Sequence, residues 1–107
     1  MPGVILGSAR TATGKFGGSL LPLRAVDLGA TAMQGALERS GVEGTQIDEV
    51  IFGQVLQAGE GQITARQAAT RAGIPMTVPA ITINKVCLSG LAAIGLALNS
   101  DDMTALH

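Results

Sequence analysis

Ala80-Ile81-Thr82-Ile83-Asn84-Lys85-Val86-Cys87-Leu88-Ser89-Gly90-Leu91 changes its hydrophobic period midway. Ile81 and Ile83 alternate with Thr82 and Asn84, the period-two pattern of a strand. Beyond Cys87, Leu91, Ile94 and Leu98 recur at helical spacing. The spacing predicts a strand over 80–86 that turns directly into a helix over 88–98, with Cys87 at the junction. Pro79, just ahead, marks where the strand begins.

The same alternation extends toward the N-terminus. Val50, Ile51, Phe52 and Val55 make residues 48–56 apolar on both sides, as in a sheet covered by helices on each face. Ala65, Ala68, Ala69 and Ala72 give residues 62–72 the pattern of a helix, closed by Gly73 and Pro75. Val26, Ala30, Met33 and Leu37 place a helix over about 23–40, and Gly41 supplies its left-handed stop. Val4, Ile5 and Leu6, closed by Gly7 and Ser8, read as a short buried strand. The order is βαβαβα, which predicts an α/β fold: a mainly parallel sheet with helices packed on it through right-handed crossovers. No strand is expected after the last helix, because periodicity fades over 99–107.

The chain has 107 residues, enough for one domain with a modest core. Hydrophobic residues are 47% and charged ones 14%, with two Phe and neither Tyr nor Trp. Such a core is built from Ala, Val, Ile, Leu and Met, and much of so apolar a surface is expected to lie against further polypeptide or another subunit. A net charge of -1, with no basic stripe and no base-stacking aromatics, argues against nucleic acid and anionic membranes as partners. No run approaches the ~18 apolar residues of a membrane span. The N-terminus lacks a secretory pattern. One cysteine and one histidine, His107, cannot build a disulfide or a zinc site, so no metal is expected and a reducing, cytoplasmic setting is the default.

Cys87 is the leading chemical candidate. At a strand-to-helix junction it lies near unpaired backbone N–H groups at the positive end of the helix dipole, where a thiolate is favoured. Those N–H groups can also bind an acyl oxygen. Ser89 and Gly90 keep the first turn small, so a substrate can approach the sulfur, as in a nucleophile elbow. The competing reading is a buried structural thiol acting as a small hydrophobe. On the residues alone both stand.

Other candidates are weaker. Residues 10–19, with Gly14-Lys15-Phe16-Gly17-Gly18, invite comparison with a phosphate-binding P-loop. Six residues, Ser8 to Thr13, separate Gly7 from Gly14 where that loop has four, and Phe16 stands where Ser or Thr must hold the metal. The loop is expected to be a connection anchored by an inward Phe16. Arg66 and Arg71 on the second helix face either a partner or solvent. Asp48, Glu49 and Glu60 are too scattered for an acid/base pair. His107 is the last residue and a poor candidate base.

Asn84-Lys85-Val86-Cys87-Leu88-Ser89-Gly90-Leu91 resembles the nucleophile motif of thiolases, the acetyl-CoA acetyltransferase family. Arg10-Thr11 through Gly14-Lys15-Phe16-Gly17-Gly18, residues 48–53, and Gly61-Gln62 with Ala65-Arg66-Gln67-Ala68-Ala69 follow the family's order and spacing. The likeness runs from about Val4 to Leu98. It implies an N-terminal thiolase-like domain over 1–98 with a divergent tail over 99–107. It further implies a homo-oligomer, with the 62–71 region as an interface. The activity implied is acyl transfer between acyl-CoA molecules, through a thioester on Cys87 and with no covalently bound cofactor. Leu88 stands where the family commonly has a small residue. The family's later motifs, a histidine in Gly-His-Pro, a second cysteine and an asparagine-containing oxyanion segment, are absent from these residues, as is its CoA-binding loop domain. The expectation is therefore a truncated half domain that keeps its nucleophile. The alternative is a catalytically incompetent fragment acting as an interaction module.

Overall fold

The computed structural model describes residues 3–99 and 105–106. Its elements run α1 (Ala25–Ser40), a 3-10 turn (Gly44–Gln46), β1 (Glu49–Gly53), α2 (Thr64–Arg71), β2 (Ala80–Ile83), α3 (Ser89–Leu98) and β3 (Ala105–Leu106). The α/β reading holds. β1 is the centre of a parallel sheet of order β2-β1-β3. Val50 pairs with Ala80 and Gly53 with Ile83 on one side, and Glu49 with Ala105 on the other.

Both faces of β1 are covered, as its apolar run requires. Val50 points into a cluster with Met33 of α1, Ala65, Ala68 and Ala69 of α2, and Ile74. Ile51 points the opposite way, onto Ala93 and Ala97 of α3. The alternation of side chains along a strand makes neighbouring residues serve two cores. Helices α1 and α2 therefore form one layer and α3 the other. Small residues set the spacing: a Cβ added at Gly29 of α1 would lie 3.2 Å from the Cβ of Ala68 of α2.

Local chemistry explains the helix ends. The Asp27 carboxylate accepts the Arg24 N–H at 2.9 Å, closing the start of α1. Gly41 ends it at φ 72°, its N–H donating to Leu37 at 3.0 Å. The start of α2 falls at Thr64 rather than 62, because Ile63 has φ 40°. Ile63 carries no capping oxygen. Thr82 of β2 supplies one from across the sheet, its Oγ1 accepting the Ala65 N–H at 2.9 Å.

Three expectations are corrected. The Val4–Leu6 strand does not form, and its side chains are 61–75% exposed. A strand exists only through pairing, and residues 4–6 pair with none of the strands β1, β2 and β3. The segment instead crosses the ends of two helices: Gly3 lies against Leu98, and Ser8 O accepts a bond from Arg39 at 3.0 Å. The order is thus αβαβαβ, and a strand does follow the last helix. At two residues, β3 is too short to leave a periodic signal. Finally, α3 does not bury the stripe of Leu91, Ile94 and Leu98. It buries Ser89, Ala93 and Ala97 and exposes Leu91 and Leu98, because only small side chains let it approach the sheet closely.

Candidate functional site

Cys87 stands in the loop between the C-terminal end of β2 and the first turn of α3, and it is exposed with a free thiol. Within these residues the thiol is not part of either buried cluster. In a parallel sheet the carboxyl ends of the strands are where ligand sites collect, and Cys87 lies on that side.

The loop is a strained elbow. Val86 has φ 52°, a left-handed conformation that a β-branched residue avoids. Such a residue costs on the order of 1–3 kcal/mol and persists only where its surroundings over-determine it. Here both polar groups of the Val86 backbone are held by side chains. Its N–H donates to Asn84 Oδ1 at 2.9 Å, and its carbonyl accepts the Ser89 hydroxyl at 2.7 Å. Ser89 Oγ also accepts the Lys85 N–H at 2.8 Å, and Asn84 Nδ2 donates to the Val55 carbonyl at 3.1 Å. Ser89 itself is 4% exposed.

The first turn of α3 offers donors. The N–H groups of Leu88 and Ser89 bond back to Lys85 and Val86, and that of Ala92 bonds to Leu88. Those of Gly90 and Leu91, in between, have no acceptor among the described residues. They are the orphan donors expected at a helix start, three and four residues after the sulfur-bearing one.

A cleft of about 540 Å³ opens nearby, walled by the 9–13 segment, α1, α2 and α3. Arg10, Gln54, Thr64 and Gly90 line it, and Cys87 does not. It meets the elbow at Gly90 and at Gly53, which packs against Ser89.

The remaining candidates are not drawn to the thiol. Glu49 opens β1, at the end of the parallel sheet opposite Cys87, with Asp48 just before it, and Glu60 pairs with Arg24 at 3.3 Å. Phe16 is fully exposed and anchors nothing, in contrast to the expected inward ring. The loop holding it closes on itself through the Gly18 N–H to Lys15 bond. Arg71 is engaged within the chain, 2.5 Å from Asp27, and Arg66 donates to the Val78 carbonyl. The alanine face of α2 is buried in its own core, while Gln62, Ile63, Thr70 and Arg71 are exposed. His107 lies outside the described residues. Among the described residues no three His, Cys, Asp or Glu side chains cluster as metal ligands, and no helix is long and apolar enough to cross a membrane.

Sequence reasoning missed the roles of Asn84 and Ser89 in the elbow. A signal existed: Asn three residues before the junction and Ser two after it are the residue types that bond nearby backbone in turns.

The fold is thus an α/β domain that carries one exposed thiol on a tight turn at the carboxyl edge of its parallel sheet. Residues 3–102 match the family described as thiolase, N-terminal domain, and the chain belongs to that family. Among curated relatives, it is 61% identical over 97 residues to an acetyl-CoA acetyltransferase of Cupriavidus necator, covering 91% of this chain and 25% of that protein. It is 55% identical over 93 residues to the enzyme of that name from Pseudomonas aeruginosa, covering 87% and 24%. A Yarrowia lipolytica acetyl-CoA acetyltransferase is 54% identical over 93 residues, covering 87% and 23%. The chain therefore spans about a quarter of the length of these relatives.

Proposed function

We propose that this domain carries the nucleophile of an acyltransferase acting on acyl-CoA, and that Cys87 is that nucleophile. The observation that carries the reading is the exposed Cys87 thiol at the strained turn into α3, followed by the unpaired N–H groups of Gly90 and Leu91. The relatives named acetyl-CoA acetyltransferase support the choice of substrate class.

In the proposed step the Cys87 thiolate attacks the thioester carbonyl carbon of an acyl-CoA. A bond from Sγ to that carbon forms, the carbon–sulfur bond to CoA breaks, and CoA leaves as a thiolate that takes up a proton. A second acyl-CoA, having lost an α proton to a base, then attacks the acyl carbon and frees Cys87; in the degradative direction Cys87 instead takes the acyl group from a 3-ketoacyl-CoA, the carbon–carbon bond breaks, the leaving α carbon takes up a proton, and CoA removes the acyl group. This is two-step covalent catalysis. Negative charge builds on the carbonyl oxygen at each addition, and preorganised N–H donors are the groups that stabilise it. The first step needs nothing covalently bound, only the CoA thioester.

The second step needs a base to form the carbon nucleophile. Of the acidic residues weighed above, Asp48 and Glu49 sit at the far end of the sheet and Glu60 is paired with Arg24. We therefore propose that the 107 residues accept an acyl group but do not turn over alone, and that complete transfer belongs to an assembly with further polypeptide. Exposed Leu91 and Leu98 on α3 favour that association over an autonomous enzyme.

The test is incubation of the chain with acetyl-CoA, followed by mass spectrometry of the peptide containing Cys87. One acetyl group on that residue, absent from Cys87→Ala, is expected. Acetylation confined to lysines, or none at all, would sink the nucleophile assignment. Steady acetoacetyl-CoA cleavage by the chain alone would sink the claim of incompleteness.

A further inference from the structure

We infer that Asn84 and Ser89 are positioning residues: together they hold Val86 in its left-handed conformation and so set where the Cys87 thiol stands over the first turn of α3. The inference rests on the reading of Cys87 as nucleophile and adds the device that aims it.

The elbow needs such a device. Left to itself, a valine at φ 52° relaxes to negative φ, which would rotate the following peptide and move Cys87. No strand ladder resists this, since β2 has already ended at Ile83, and the backbone supplies one bond only, from the Ser89 N–H to the Val86 carbonyl at 3.1 Å. Two side chains replace the ladder. Asn84 takes the N–H of Val86 with Oδ1 and ties itself to the Val55 carbonyl with Nδ2, so the elbow is fastened to the chain leaving β1. Ser89 takes the other end, donating to the Val86 carbonyl and accepting from the Lys85 N–H.

Ser89 is placed to do this rigidly. It is 4% exposed, so water scarcely competes for its hydroxyl. Its Cβ is pressed against Gly53 at the end of β1, where a Cβ on the glycine would come within 2.7 Å. The sheet thus fixes the Ser89 backbone, its hydroxyl fixes Val86, and Val86 fixes Cys87. A merely space-filling role at position 89 would be met by alanine, which keeps the Gly53 contact and lacks only the hydroxyl.

The test uses the 107-residue chain and two readouts. One is the intraresidue amide–Hα Overhauser effect of Val86, strong only at positive φ. The other is the rate of Cys87 alkylation by iodoacetamide. In Ser89→Ala the Overhauser effect is expected to weaken and the alkylation rate to change by about threefold or more, and adding Val86→Gly to bring it back to within about twofold of the parent. Glycine adopts positive φ without a Cβ penalty, so it needs no clamp. Asn84→Ala, at an exposed position, carries the same expectation should Ser89→Ala unfold the chain. A left-handed Val86 with an unchanged rate in the folded variants would overturn the inference. So would a changed rate that Val86→Gly fails to restore. Acetylation of Cys87 by acetyl-CoA is scored separately: its absence with the clamp behaving as described refutes the nucleophile and leaves the clamp standing.

Discussion

Gly53, the last residue of β1, lies directly beneath Ser89, the first residue of α3. A Cβ built on Gly53 would sit 2.7 Å from both the carbonyl carbon and the Cβ of Ser89, and 2.9 Å from its oxygen. The contact sets how close the helix bearing the elbow comes to the sheet, and it ties the position of Cys87 to a residue more than thirty places earlier in the chain.

Gly53→Ala is therefore expected to push the start of α3 off the sheet. Two of the three clashing atoms are backbone, which cannot rotate away. The cost should be about 1–3 kcal/mol, the range for overpacking a tight contact. Urea unfolding measures it. Unchanged stability would mean that the helix shifts freely and the approach is not a constraint.

Cys87 is expected to alkylate faster in the folded chain than in the same chain in urea, after correction for the denaturant's effect on a model thiol. The thiol is exposed at the turn into α3, and the unpaired N–H groups of Gly90 and Leu91 are donors available to charge that develops there during the attack. Iodoacetamide kinetics in both states provide the comparison. Equal rates would remove the helix-terminus contribution.

Thr82→Val tests the cap supplied across the sheet. Valine matches threonine in shape but cannot accept the Ala65 N–H, which Thr82 Oγ1 holds at 2.9 Å. The loss should be about 0.5–2 kcal/mol, the range for removing a helix cap. Hydrogen exchange at the Ala65 amide should accelerate more than at Val50, which keeps its bond to the Pro79 carbonyl at 2.9 Å.

Met33→Ala probes the layer between α1 and the sheet. Met33 is fully buried in the cluster that also contains Val50 and Ala69. Deleting its side chain should cost about 2–5 kcal/mol. Leu56→Ala, at a residue 85% exposed, should change stability by less than about 0.5 kcal/mol in the same assay. Comparable losses at the two positions would contradict the assigned core.

Much of this architecture was legible in the order of the residues. The Val26, Ala30 and Met33 spacing gave α1 its buried face, and Gly41 its end. The unbroken apolar pair Val50 and Ile51 announced a strand with a core on each side. Such patterns are legible because side-chain direction repeats with a period set by the local backbone alone. The residues around Cys87 were likewise enough to single out the elbow and name its family.

What failed to show in the residues was pairing and aim. Val4–Leu6 has the composition of a strand, yet strand formation depends on a free partner edge, a property of the whole sheet. The face that α3 buries was misread because hydrophobicity favoured leucine, whereas close approach at Gly53 favoured Ser89, Ala93 and Ala97. Sequence alone determined that this is a parallel α/β domain of the thiolase family with one cysteine at a strand-to-helix turn. Only the tertiary structure decided that the turn is strained at Val86, and that Asn84, Ser89 and Gly53 hold it. Strain and its restraint arise from contacts between segments, and no local periodicity encodes them.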